Sequence, residues 1–94
     1  MPTIPQIESI LAIHEHGTAT EAAKRINRAV QTVSNHLGQA ERQLGVTLFT
    51  RKSGRFVATT EGTEFVRLGS IAVRVNDAMS AIGKSASPAA FTPN

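Results

Sequence analysis

Gln31, Thr32, Ser34 and Asn35 place four short hydrogen-bonding side chains within five residues, and Arg51, Lys52 and Arg55 follow as a basic cluster. The first group has the chemistry to read base edges. Gln and Asn pair bidentately with adenine, and Thr can meet a thymine methyl. The second group suits phosphates or the minor groove. Charge is concentrated around both. Lys24 to Arg55 holds seven basic residues (Lys24, Arg25, Arg28, Arg42, Arg51, Lys52 and Arg55) and one acid, Glu41. That local balance of +6 is twice the +3 of the whole chain. Positive charge gathered in one stretch is the electrostatic footprint of a duplex-DNA reader.

Other chemistries find little support. His14, Glu15 and His16 invite a metal reading, but helix residues two apart point to different faces and cannot easily share an ion. His36 has no evident set of partners. Ser34 and His36 are also two apart on one predicted helix, so no nucleophile–base–acid arrangement forms. Gly62 and Gly69 do not make a phosphate loop. The expectation is a non-enzyme with no catalytic residues, metal or cofactor.

The 94 residues suit one domain with a modest core. Cysteine is absent, so no disulfide or thiolate site can reinforce it. No apolar run reaches the roughly 18–20 residues of a membrane span. The N-terminus, MPTIPQIESI, lacks the basic region of a signal peptide. A cytoplasmic, nucleoid-associated protein is expected, and the pI of 10.2 suits a polyanionic partner.

These side chains need a scaffold. Ile7, Ile10, Leu11 and His14, with Ile13 beside them, recur at helical spacing and predict a first helix over 5–16, ended by Gly17. Thr18 with Glu21 forms a candidate capping box, with Thr20 as a rival cap, for a second helix over 20–26. Asn27 can take the left-handed conformation of a tight turn. A third helix is predicted over 30–44, with Val33, Leu37, Ala40 and Leu44 on its apolar face and Gly45 at its end. Its other face carries Thr32, Asn35, Gln39 and Arg42. Extended segments over 48–51 and 55–59 flank Lys52-Ser53-Gly54, the signature of a β-hairpin. Thr60 is the candidate cap of a last helix running to about residue 83. Residues 84–94 read as a linker or disordered tail.

In that last helix Phe65, Leu68, Ala72, Val75, Met79 and Ile82 follow spacings of 3, 4, 3, 4 and 3. That is an a/d seam. Phe65 and Leu68 can pack at least partly on the core of their own chain. Beyond Ala72 a small domain has little core to offer, so Val75, Met79 and Ile82 want a partner helix. A homodimer would set two reading helices in neighbouring turns of the major groove, on an inverted repeat.

IESILAIHEHGTATEAAKRI, VSNHLGQAERQLGVTLFTR and Thr60-Glu61-Gly62 resemble the N-terminal winged helix–turn–helix domain of LysR-type transcriptional regulators, over about residues 4–83. The combined spacing of Leu44-Gly45-Val46, Leu48-Phe49, Arg51 and the Gly17–Ala23 stretch carries the likeness. It implies a mainly α fold: a three-helix core with a small β-hairpin wing (1–59), then a long linker and dimerisation helix (60–83) that pairs antiparallel with its partner. On this reading Val30, Gln31, Thr32, Ser34 and Asn35 face the bases. Thr18, Thr20, Arg28, Arg51, Lys52, Ser53 and Arg55 face the DNA backbone or belong to the wing.

The chain departs from the family pattern where bases would be read. Ala29 stands where Ser is frequent, Val30 where Gln is, Gln31 where Pro is, and Asn35 where Arg is. Arg28 takes a usually apolar turn position. Thr60 and Gly62 match the family's Thr and Gly, with Thr59 in place of Leu. Val30 either meets thymine methyls or packs under the turn, and turn-proximal valines favour packing.

The resemblance thus implies a bacterial, sequence-specific regulator that binds double-stranded DNA as a homodimer, with higher oligomers in a longer form. The molybdate-responsive repressors share the scaffold. An alternative from another class is a winged helix for protein contact, or a dominant-negative subunit that heterodimerises with a longer regulator. LysR-type regulators normally continue into an effector-binding domain. These 94 residues leave no room for one, so no small-molecule switch is expected within them; the sequence is either a cut domain or a naturally short protein, and the tail after Gly83, where such a boundary would fall, favours a fragment.

Overall fold

The computed structural model describes residues 1–85, which fold in the order α1 (Ile4–His16), α2 (Ala19–Ile26), α3 (Val30–Leu44), β1 (Phe49–Lys52), β2 (Arg55–Ala58) and α4 (Thr60–Ser85). Helices and one antiparallel hairpin build the winged helix–turn–helix expected above. Lys84 and Ser85, assigned to the tail, continue α4 instead, and the rest of that tail lies outside the described residues. Helix ends commonly differ by a residue or two from expectation.

Local signals set most boundaries. Thr3 starts α1: its hydroxyl accepts from the Gln6 amide at 3.3 Å, and Gln6 Oε1 accepts from the Thr3 amide at 2.9 Å. This reciprocal capping box satisfies two otherwise orphaned donors. Gly17 (φ 82°) and Gly45 (φ 70°) end α1 and α3 in the left-handed conformation, which costs a residue with a Cβ more. Asn27 (φ 56°) makes the same bend after α2. Thr18, rather than Thr20, caps α2, its hydroxyl accepting from the Glu21 amide at 3.1 Å. The Glu21 carboxylate lies 3.4 Å from Lys24 Nζ. Ser53 (φ 52°) and Gly54 (φ 78°) form the two-residue turn that pairs Lys52 with Arg55, Arg51 with Phe56, Thr50 with Val57 and Phe49 with Ala58.

Ile10, Ile13, Val33, Leu37, Ala40, Ala22, Ala23, Leu48 and Phe49 form one core between the three helices and the root of the hairpin. Ala22 and Ala23 let α2 approach α1 closely. Leu44, expected on the same face as Val33, is 43% exposed. It lies in the last turn of α3 and borders an apolar groove with Pro2, Ile7, Phe65 and Leu68. His14, which fits the helical spacing of α1, is exposed, while buried Gln6 and Ser9 share the inward face with Ile10 and Ile13.

α4 starts from Thr59, not Thr60. The Thr59 hydroxyl accepts from the Gly62 amide at 2.9 Å and lies 2.7 Å from the Thr47 carbonyl oxygen as donor. Thr60 is exposed. The cap thus falls one residue earlier than expected because Thr59 faces the loop before β1. Thr59→Ala should lower stability by about 1–2 kcal/mol, the usual cost of a lost cap, whereas Thr60→Ala should change it by less than about 0.5 kcal/mol. Urea melts of the two variants compare them directly.

Candidate nucleic-acid interface

α3 presents two unlike faces. Val33, Leu37 and Ala40 sink into the core, and this leaves Gln31, Ser34 and Asn35 exposed along the outer N-terminal half, with Thr32 half-buried at its margin. Val30 is 43% exposed, so it does not pack under the turn as expected. The core beneath that corner is already closed by Ala22, Ala23 and Val33, all at most 2% exposed. Gln31 Nε2 donates to Asn35 Oδ1 at 3.0 Å across one helical turn. Ala29, at the N-cap position, makes no side-chain cap bond.

Two polar side chains of α3 are spent on holding it. Gln39 Oε1 accepts from Gln6 Nε2 at 2.9 Å, and His36 Nδ1 lies 2.7 Å from the hydroxyl of fully buried Ser9. Each bond crosses from α1 to α3, three residues apart on both helices. They fix the rotation of α3 about its axis more sharply than apolar contact does, because hydrogen bonds are directional. His36 therefore has a partner that the sequence did not suggest. Burial and the nearby Arg28 charge hold its pKa below the usual histidine value.

The hairpin is tied to the end of α1. Arg55 Nη2 donates to the His16 carbonyl oxygen at 3.0 Å, and the Phe56 amide donates to the Gly17 carbonyl at 2.8 Å. A Cβ at Gly17 would meet that guanidinium, which would have to shift from its place beside the His16 carbonyl. Arg51 lies 4.3 Å from the Phe56 ring centroid and donates to the Gly54 carbonyl at 3.3 Å. Arg55, expected simply as a wing contact, thus also locks the hairpin to α1, and Arg51 is steadied by stacking. Lys52 and Ser53 form the exposed tip. Lys52 is the cross-strand partner of Arg55, so two basic residues flank the turn of the wing.

Among the described residues, Lys24 is the one basic side chain of the Lys24–Arg55 stretch held in an ion pair. Arg28 is exposed just before α3. Thr18 is half-buried as a cap, and Thr20 is exposed in the first turn of α2. Glu41, the single acid of the stretch, is turned to structural use: its Oε2 accepts from the amides of Leu48 at 2.7 Å and Phe49 at 3.4 Å. An isolated acid in a basic stretch was the available signal for that role.

Along α4, Phe65 is half-buried against the core and Gly69 is buried under Ile7, with Leu68 at 51%, Val75 at 53%, Met79 at 65% and Ile82 at 67% exposure. Ala72 is half-buried, and Ile71, outside the expected seam, is also exposed. The structure therefore divides the seam: its start packs on the chain's own core and its end is uncovered. Among the described residues no helix is long and apolar enough to cross a membrane.

The family model described as bacterial regulatory helix-turn-helix protein, lysR family, matches residues 4–63. The chain is 42% identical over 57 residues to the HTH-type transcriptional regulator DgcR of Pseudoalteromonas sp, covering 61% of this chain and 20% of that protein. It is 34% identical over 62 residues to MetR of Haemophilus influenzae, covering 66% of this chain and 20% of the relative. The matched stretches thus span about a fifth of these relatives' length. Among solved structures, the CbnR DBD in complex with DNA superposes with a TM-score of 0.81 at 21% identity, over 89% of this chain and 97% of that one. The BenM DBD with catB site 1 DNA gives 0.82 at 24% identity, over 89% and 93%. OxyR of Corynebacterium glutamicum gives 0.86 at 22%, over 92% of this chain and 27% of its own. These structural likenesses bear on the fold; the family match spans both the helix–turn–helix and the wing. The chain belongs to the LysR family of bacterial regulatory helix-turn-helix proteins and carries its winged DNA-binding domain.

Proposed function

We propose that this chain is the sequence-specific DNA-binding part of a dimeric LysR-type transcriptional regulator. The observation that carries this reading is the unneutralised charge around an exposed polar helix. Six of the seven basic residues between Lys24 and Arg55 lack an ion-pair partner among the described residues: Arg25 lies in the last turn of α2, Arg28 precedes α3, Arg42 lies on α3, and Arg51, Lys52 and Arg55 stand on the wing. A duplex supplies the missing counter-charge and accepts a helix in its major groove.

In this reading Val30, Gln31, Thr32, Ser34 and Asn35 meet base edges. Arg28, Thr18 and Thr20 meet backbone, and Arg51, Lys52, Ser53 and Arg55 form the wing. The core and wing over 1–59 act as the binding unit, and α4 brings two copies together through Leu68, Ala72, Val75, Met79 and Ile82, with Phe65 at the root. The DNA complexes of CbnR and BenM domains support duplex DNA as the partner. The operator is then an inverted repeat with half-sites about 34–36 Å apart, and the working location is the nucleoid.

Selection from random duplexes at near-physiological salt, with stoichiometry recorded, tests this. Enrichment of an inverted repeat bound by two chains is the expected result, with affinity falling steeply as salt rises. Binding without enrichment of any sequence would refute the specific reading.

A further inference from the structure

We infer that Gln31 and Asn35 act as one reading unit, a hydrogen-bonded carboxamide pair that recognises a single adenine. This rests on α3 being the base-reading helix, as proposed above. Both side chains are exposed, one turn apart, and joined by the 3.0 Å bond from Gln31 Nε2 to Asn35 Oδ1. That bond uses one donor group and one acceptor. It leaves the Gln31 oxygen as an acceptor beside the Asn35 amide as a donor. Turning both amides over leaves the same pair, with the roles exchanged.

An acceptor beside a donor complements adenine, which shows the N6 donor next to the N7 acceptor in the major groove. Guanine shows two acceptors, N7 and O6, and suits two donors instead. The inner bond also orders two flexible side chains before DNA arrives, so less freedom is lost on binding. Val30, next to Gln31 and 43% exposed, adds an apolar surface at the same end of the helix. Only thymine offers a methyl there, consistent with an A·T step. Gln31 and Asn35 both occupy positions where the chain departs from the common LysR pattern, so the pair is a feature of this chain.

The test uses the operator selected by the unaltered protein. Gln31→Ala, Asn35→Ala and the double variant are each measured against all four base pairs at every half-site position. The unaltered chain should prefer A·T at one position. Each single variant should lose that preference at the same position, by roughly 5- to 140-fold, the span of a bidentate contact. The double variant should lose no more than either single one, the mark of coupled residues. Single variants that act at different positions, losses that multiply, or a preference for G·C at the affected position would each overturn the pair. A chain that enriches no sequence at all would remove the specific-binding proposal and this inference together, a distinguishable failure. Circular dichroism of the variants checks that the exposed substitutions leave the fold intact.

Discussion

Val75→Asp combined with Met79→Asp should leave the domain folded but monomeric, and should lower affinity for a full inverted repeat by about 10²–10⁴-fold, the gain that linkage of two sites supplies. Both side chains are more than half exposed in the single chain, so carboxylates there meet water and leave the core untouched. In the proposed dimer the same positions lie in the seam between two α4 helices. Two copies would then bury four carboxylates close together, and burial of unpaired charge is strongly unfavourable. Affinity for an isolated half-site should hardly change, because both positions lie well beyond the first turn of α4 that meets the wing, and both side chains are exposed. Analytical ultracentrifugation with paired binding assays on full and half operators makes the comparison. A double variant that stays dimeric, or that binds the full operator as tightly as before, would move the dimer contact away from this face.

Gly62→Ala should destabilise the fold by about 3 kcal/mol, the upper part of the range for overpacking. A Cβ built on Gly62 would overlap the Leu48 carbonyl oxygen, and that oxygen already accepts from the Thr59 amide at 2.9 Å. The obstruction is backbone, which cannot rotate aside as a side-chain tip can. The first turn of α4 would have to lift from the root of the wing and loosen the Thr59 cap with it. At about 4–8 °C per kcal/mol for a domain of this size, the shift in Tm is large. Gly83→Ala is the matched control. Nothing lies within 4 Å of a Cβ there, so the substitution should be neutral or stabilise by about 0.5–1 kcal/mol. Thermal melts of both variants settle the contrast. Similar Tm values for the two would show that α4 shifts freely on the wing.

These two glycines also show which features of the chain can be read without its fold. Both lie in the same predicted helix, and nothing in their immediate neighbours separates them. Gly62 is constrained by a carbonyl fourteen residues away in the loop before β1. Gly17, Asn27 and Gly45 were legible because a left-handed helix end depends on the residue itself and the turn before it. The same holds for α3, whose expected bounds of 30–44 are those observed, and for the Ser53-Gly54 turn.

By itself the sequence determined the elements, their apolar faces, the basic stretch and the candidate reading residues. Each depends on spacing within a few positions or on summed charge. Tertiary structure alone decided which polar groups hold the scaffold and which remain to meet a partner. Gln39 looks like a member of the outer polar face and His36 has no evident partner in the sequence, yet partners 33 and 27 residues away claim them. Arg55 looks like a free wing cation, yet its donor finds a carbonyl 39 residues earlier. Val30 and Leu44 look like core, yet each stays 43% exposed, Leu44 at the edge of a groove beside α4. The physical reason is common to all of these. A side chain's periodicity says which way it points, but its partner and its burial are set by whatever the folded chain brings opposite.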